Sequence, residues 1–155
     1  MFRVKRLRRL RSSIRQEQLL REVEHYLSHC GLDEHLLDLV YLRVSQLNGC
    51  AFCTDLHTRM LTKAGIGPEK LALVQVWAHS GQLFSATEKA ALAWAEHVTL
   101  IAGPAARRGS HPGNASLFTE KELFDLTLAI SLMNAWNRLA ISFRNVPQSA
   151  AEHKV

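Results

Sequence analysis

A chain of 155 residues with 47% hydrophobic content can bury the core of one domain, which excludes intrinsic disorder. Charged residues make up 21% of the chain and interrupt every apolar stretch before about 18 positions, which excludes a transmembrane helix. The net charge of +5 sits in one arm, because Arg3, Lys5, Arg6, Arg8, Arg9, Arg11 and Arg15 precede the first acid and residues 16–155 carry 12 basic against 14 acidic residues.

Residues 1–15 therefore read as a basic N-terminal arm and residues 16–155 as the domain. The arm lacks the apolar core of a secretory signal, although its arginines and serines, with Val4, Leu7, Leu10 and Ile14 at helical spacing, also fit a mitochondrial presequence. A nucleic-acid partner rests on these early positives alone and is not expected, since basic arms are more often solvated tails. Three cysteines are too few for a disulfide scaffold, and the odd count points to a reducing, cytoplasmic setting.

In chain order, Leu19, Leu20, Val23, Tyr26 and Leu27 recur at helical spacing and predict a helix over about 16–29, stopped by Gly31. Asp33 caps a second helix carrying Leu36, Leu37, Val40, Val44 and Leu47, which Asn48-Gly49 breaks. A third runs from near Cys50 to Gly65, and Gly67-Pro68 opens a fourth that ends near Gly81. Capping boxes at Ser85–Glu88 and Thr119–Glu122 announce helices over roughly 86–102 and 120–143. Between them, residues 103–118 hold Gly103-Pro104, Arg107-Arg108 and Pro112-Gly113, and form the expected mobile loop. No segment alternates with period two, so the predicted fold is all-α, a single-domain bundle of about six helices.

The chemistry is concentrated at Cys50-Ala51-Phe52-Cys53. Both thiols fall in the first turn of the third helix, where free backbone N–H groups favour a thiolate and lower a thiol pKa. Their spacing permits a disulfide, and His57, four residues beyond Cys53, shares the same face. An imidazole there can take or return a proton as a thiol attacks, which supports dithiol redox chemistry. Two other readings compete: a zinc site drawn from Cys50, Cys53, His57 and Cys30, which lacks a second paired motif, and two cysteines buried as small apolar residues. A thioredoxin-like reading requires strands around the motif, and its flanks are helical.

The stretch from Asp38 to His57, DLVYLRVSQLNGCAFCTDLH, resembles the core of the alkylhydroperoxidase D-like branch of the carboxymuconolactone decarboxylase family. The likeness extends through Ala91–Glu96 and Leu123–Arg144, including Asn134–Ala140. The resemblance implies a helical fold assembled as a homo-oligomer built on trimers. It implies a peroxidase or disulfide reductase that reduces a peroxide substrate with no metal or flavin cofactor, and a dithiol electron donor of the dihydrolipoyl type. It further implies that Cys53 attacks the peroxide, that Cys50 resolves the sulfenic acid as a disulfide, and that His57 and Asp38 relay protons. The family's acid is usually glutamate, one methylene longer than Asp38, so Asp38→Glu is expected to preserve or raise activity. Some members place a histidine between the cysteines, where this chain has Ala51 and Phe52, and residues 103–118 lack the family's apolar helical pattern. The alternative function is a non-catalytic oligomeric redox sensor or binding protein with the same dithiol.

Other residues take plainer roles. Trp77, Trp94 and Trp136 are expected to pack in the core, and the isolated His79, His97 and His111 to be structural or solvated. Asn134 and Asn137, disfavoured in a helix by propensity, are expected either to satisfy buried polar groups or to line the site. Tyr41 and Arg43 follow Asp38 on one helix and are candidates for the surface.

Overall fold

The computed structural model describes residues 13–103 and 116–152. Residues 1–12 of the basic arm and residues 104–115 of the predicted 103–118 loop lie outside these. All regular elements among the described residues are helical: α1 (Ser13–Leu27), α2 (Glu34–Leu47), α3 (Ala51–Lys63), α4 (Pro68–Leu73), a 3-10 turn (Val74–His79), α5 (Ala86–Thr99), α6 (Glu120–Ser142) and α7 (Gln148–Glu152). The all-α expectation holds, and no described helix is long and apolar enough to cross a membrane.

α2 is the central element because it is apolar around most of its circumference, as a helix buried on several sides must be. Leu36, Val40 and Val44 pack against Leu126, Ile130 and Met133 of α6 and Ala91, Trp94 and Ala95 of α5. Leu39 and Leu42 face Leu61, Val74, Phe84 and Leu92 on another side. Leu37 meets Leu27, Ala129 and Leu132 on a third. The caps read from the sequence are formed. Asp33 accepts the Leu36 N–H at 2.8 Å, and Ser85/Glu88 and Thr119/Glu122 make reciprocal capping boxes.

The expected single helix from Gly67 to near Gly81 is a correction: α4 ends at Leu73, and Val76 leaves helical geometry at φ −125° and ψ 27°. Tertiary contacts outweigh the local period here. Val74 is wholly buried in the core, and the Trp77 indole N–H donates to Glu96 Oε1 of α5 at 2.8 Å. Glu96 also receives Arg43 of α2 at 2.7 Å, so this carboxylate ties three segments. Arg43 is therefore partnered rather than a free surface charge.

α1 is fastened to α6 by Asp125, which accepts the Tyr26 hydroxyl at 2.9 Å and the Lys121 ammonium at 2.6 Å. The hydrogen bond from Lys121, aided by that from Tyr26, holds the Asp125 carboxyl below its ordinary value. A carboxyl lowered by folding contributes stability that is complete above the unfolded value and is lost as pH falls through the folded one. Acid melting should therefore weaken the α1–α6 tie only below the ordinary carboxylate range. Asp125→Asn is expected to flatten that limb of the melting temperature against pH, as thermal melts at graded acidity will show.

Candidate active site

The corner between α2 and α3 is built by Asn48-Gly49. Gly49 takes φ +67°, a conformation that a Cβ strains, and the Gly49 and Cys50 N–H groups bond back to Gln46 O and Ser45 O. Cys50 thereby closes α2 while capping α3, where its sulfur accepts the Cys53 N–H at 3.4 Å. One residue is fixed from both sides, and the dithiol is positioned by backbone rather than by a flexible loop.

Cys50 and Cys53 are 1% and 4% exposed, both as free thiols, beneath α2, α5 and α6. His57 lies one turn further along α3 and is also buried. Its Nδ1 meets Asp38 Oδ1 of α2 at 3.0 Å. A carboxylate within an apolar helix needs such a partner, since an unpaired buried charge is costly. All four predicted site residues are buried, Asp38 joined to His57 and Cys50 to Cys53, and the shorter Asp38 side chain reaches the imidazole directly. Tyr41 packs on His57 with ring centroids 5.2 Å apart, and burial pushes its phenol well above the ordinary range, so it stays neutral.

The thiolate expectation requires correction. Burial pushes the Cys53 thiol up to about 12, and its hydrogen bond with Cys50 adds to the rise. The first-turn position is a local advantage, but the Cys53 N–H is already committed to Cys50, and desolvation of a buried anion outweighs the partial charge of a helix end. Cys53 rests as a neutral thiol that must lose its proton in order to react.

A polar network borders the dithiol. Asn137 is wholly buried, accepts from Asn48 Nδ2 at 2.9 Å, and donates to Ser45 Oγ at 3.1 Å and to Met133 Sδ at 3.4 Å. Asn134 accepts from the same Asn48 amide at 2.9 Å and donates to Ile130 O. Of the two readings of the α6 asparagines, the satisfying of buried polar groups is the one these hydrogen bonds meet. Sequence reasoning missed Asn48 and Ser45; the signal was an amide and a hydroxyl on the last turn before the cysteines, set against two amides on α6.

The four groups weighed as zinc ligands are not assembled: Cys30 packs in the α1–α2–α6 cluster, apart from Cys50 and Cys53. Among the described residues no cluster of three His, Cys, Asp or Glu side chains has metal-holding geometry. Trp94 is buried and donates to Thr127, Trp77 and Trp136 pack against the core, and His97 stacks on Trp94. His79 is exposed, and His111 lies outside the described residues. A cleft of about 180 Å³ opens beside Cys50, between Phe52 of α3 and Ile141, Arg144 and Asn145 at the end of α6.

The described residues thus form a helical bundle with two buried thiols and a carboxylate-anchored histidine, and comparison with known proteins gives its family. Residues 17–97 match the carboxymuconolactone decarboxylase family, and the chain belongs to that family. It is 32% identical over 128 residues to the uncharacterised Bacillus subtilis protein YdfG, spanning 83% of this chain and 86% of that one. A crystal structure from Agrobacterium tumefaciens, of a protein of unknown function provisionally described as the antioxidant defence protein AhpD, superposes with a TM-score of 0.79. That structure is 29% identical and covers 92% of this chain and 97% of its own. The family match and this neighbour together assign the chain to the alkylhydroperoxidase D-like branch.

Proposed function

We propose that the protein is a thiol-dependent peroxidase that reduces a hydroperoxide at Cys53 and is recycled by an external dithiol. The observation that carries this reading is the Asp38–His57 hydrogen bond, 3.0 Å long and buried, which ties α2 to the helix that carries Cys53 and is capped by Cys50. A neutral, buried thiol needs a base, and an imidazole whose Nδ1–H is held by a carboxylate keeps its other nitrogen as an acceptor.

In the reaction, His57 takes the Cys53 proton, and the thiolate attacks one peroxide oxygen. The O–O bond breaks, an alcohol leaves with a proton, and Cys53 becomes a sulfenic acid. The Cys50 thiol then attacks the Cys53 sulfur, a disulfide forms, and the sulfenic oxygen departs as water. A dithiol donor, of the dihydrolipoyl type that the resemblance implies, restores both thiols by two exchanges and is itself oxidised to a disulfide. The cleft beside Cys50 gives such a donor an approach to the first sulfur. Association of copies, on trimers, belongs to the same proposal and is supported by the exposed Ile101, Phe124 and Phe143.

A steady-state assay with hydrogen peroxide and organic hydroperoxides, supplied with dihydrolipoamide or dithiothreitol, tests the reading. Sustained turnover supports it, whereas one oxidation per chain without recycling makes the protein a dithiol switch. Peptide mapping of the oxidised protein is expected to link Cys50 to Cys53 and to leave Cys30 a thiol, because Cys30 sits in a different packing cluster. A peptide joining Cys30 to either of the others overturns the pairing.

A further inference from the structure

The chain leaves α6 through a charged residue in a position that usually belongs to glycine. Arg144 stands at φ +54°, in the left-handed region that glycine enters freely and a Cβ resists. Two backbone bonds hold it there. The Arg144 N–H reaches Ile141 O at 3.1 Å and the Asn145 N–H reaches Ala140 O at 2.9 Å, the paired pattern that closes a helix on a left-handed residue. No partner of the side chain offsets that strain. Arg43, Arg59 and Arg138 are each held by an acceptor on another residue, whereas the Arg144 guanidinium makes no hydrogen bond or ion pair with any described residue.

What Arg144 does border is the cleft of about 180 Å³ beside Cys50. One wall is the α2–α3 corner with Cys50 and Phe52, and the other is the end of α6 with Ala140, Ile141 and Arg144. Among the described residues that line it, Arg144 alone is charged. The cleft borders Cys50 and not Cys53, so a molecule within it meets the resolving cysteine. A cysteine, an apolar wall and a cation in one opening match a molecule with a thiol, a hydrocarbon chain and an anionic group. We infer that Arg144 is a specificity-determining residue that selects, as electron donor, an aliphatic dithiol carrying a carboxylate. The inference rests on the proposed recycling of the Cys50–Cys53 disulfide by an external dithiol.

The donor's carboxylate takes the parallel N–H groups that a guanidinium presents, and its methylenes cover Phe52 and Ile141, the second of which is 48% exposed. One donor thiolate then forms a bond to the Cys50 sulfur as the Cys50–Cys53 bond breaks, and Cys53 leaves and takes up a proton. The second donor thiolate attacks the donor sulfur of that mixed disulfide, Cys50 leaves and is protonated, and the donor departs as a cyclic disulfide. Two electrons pass to the protein, and the two protons of the donor thiols end on Cys50 and Cys53. A hydroperoxide bearing the same carboxylate is the rival occupant. It must deliver its oxygen to Cys53, which the cleft does not border.

The test starts from protein oxidised with diamide, its Cys50–Cys53 disulfide verified by peptide mass, and follows reduction by dihydrolipoate and by dihydrolipoamide. These carry the same dithiol and differ in a carboxylate against a neutral amide. Each rate is divided by the rate of the same donor on hydroxyethyl disulfide, which removes intrinsic reactivity. One charge-assisted contact should make dihydrolipoate about tenfold the faster donor for the wild type. Arg144→Gln and Arg144→Gly should bring the ratio to within about twofold of unity by slowing dihydrolipoate alone. Arg144→Gly should also melt at or above the wild-type temperature, because glycine suits the left-handed cap. A side chain that serves only the end of α6 would change melting and leave the donor ratio alone. A wild-type ratio within about twofold of unity, or a preference that survives in Arg144→Gln, overturns the inference. Should neither variant fold, salt decides in the wild type: the preference must fade between about 0.05 M and about 1 M salt, and its persistence overturns the inference. If diamide forms no Cys50–Cys53 disulfide, this inference and the proposed function fall together. No peroxide enters the assay, so donor preference without peroxide turnover removes the proposed function and leaves the Arg144 site standing. Peroxide turnover with the two donors equal removes only the site.

Discussion

Cys53→Ser is expected to bring peroxide turnover down to background, a loss on the order of 10⁴-fold or more, while Cys50→Ser carries out one oxidation per chain and stops. The asymmetry follows from where the sulfurs lie. Cys53 is the thiol one turn before His57 on α3, so it is the one with a base on its own helix face. A serine hydroxyl there is a far weaker nucleophile, and no rearrangement within the buried cluster replaces it. Cys50 occupies the cap of α3, where serine is a good substitute because its oxygen can accept the same N–H. Cys50→Ser should therefore fold normally and accumulate a sulfenic acid at Cys53, which a dimedone adduct identifies by mass. The two variants are compared by peroxide consumed per chain in a single turnover and by steady-state rate. If Cys50→Ser loses the first oxidation and Cys53→Ser keeps it, the assignment of attacking and resolving thiols is reversed.

Helix ends were legible in the sequence wherever the signal was local. Asp33, Ser85 and Thr119 cap from within three residues, and their partners sit where the spacing requires. Where an end depends on distant residues, the sequence is silent. Val74 and Trp77 are held by α2, α3 and α5, so the expected fourth helix gives way to a 3-10 turn despite its periodicity. The short α7 was not anticipated because its N–H groups at Gln148 and Ser149 are accepted by Asp55, more than ninety residues earlier in the chain.

The same division runs through the site. The i, i+4 relation of Cys53 to His57 is a property of one helix and is readable from spacing. The state of the Cys53 thiol is not, because a first-turn position argues for a thiolate while α5 and α6, contributed from residues 86–142, exclude the water that an anion needs. Asn48 looks like a helix breaker when read beside Gly49, and becomes a bridging amide only when α6 brings Asn134 and Asn137 against it.

Asp38 and His57 should each matter to the rate by roughly 10²-fold to 10⁴-fold, the scale of general acid–base assistance, in His57→Ala and Asp38→Asn. The carboxylate fixes the tautomer: an Asp38 anion 3.0 Å from Nδ1 keeps the hydrogen there and leaves Nε2 free to accept. An asparagine at 38 can present its NH₂ to Nδ1 instead, which drives the ring hydrogen to Nε2 and removes the lone pair that would receive the Cys53 proton. The change is nearly isosteric, so melting temperature should move little while turnover falls. Asp38→Glu separates reach from charge, and the geometry reverses the expectation drawn from family length. Asp38 already meets the imidazole directly in a slot where it is 7% exposed, and an extra methylene in packed surroundings forces strained rotamers or displaces neighbours. Asp38→Glu should fall below wild type, by about tenfold, and remain above Asp38→Asn, since the charge is kept and the alignment lost. A kinetic series with hydroperoxide as the varied substrate, run across pH and matched by thermal melts, orders the three. If Asp38→Asn turns over as fast as wild type, the carboxylate serves only to satisfy a buried histidine, and the proton must leave Cys53 by a route in which α2 takes no part.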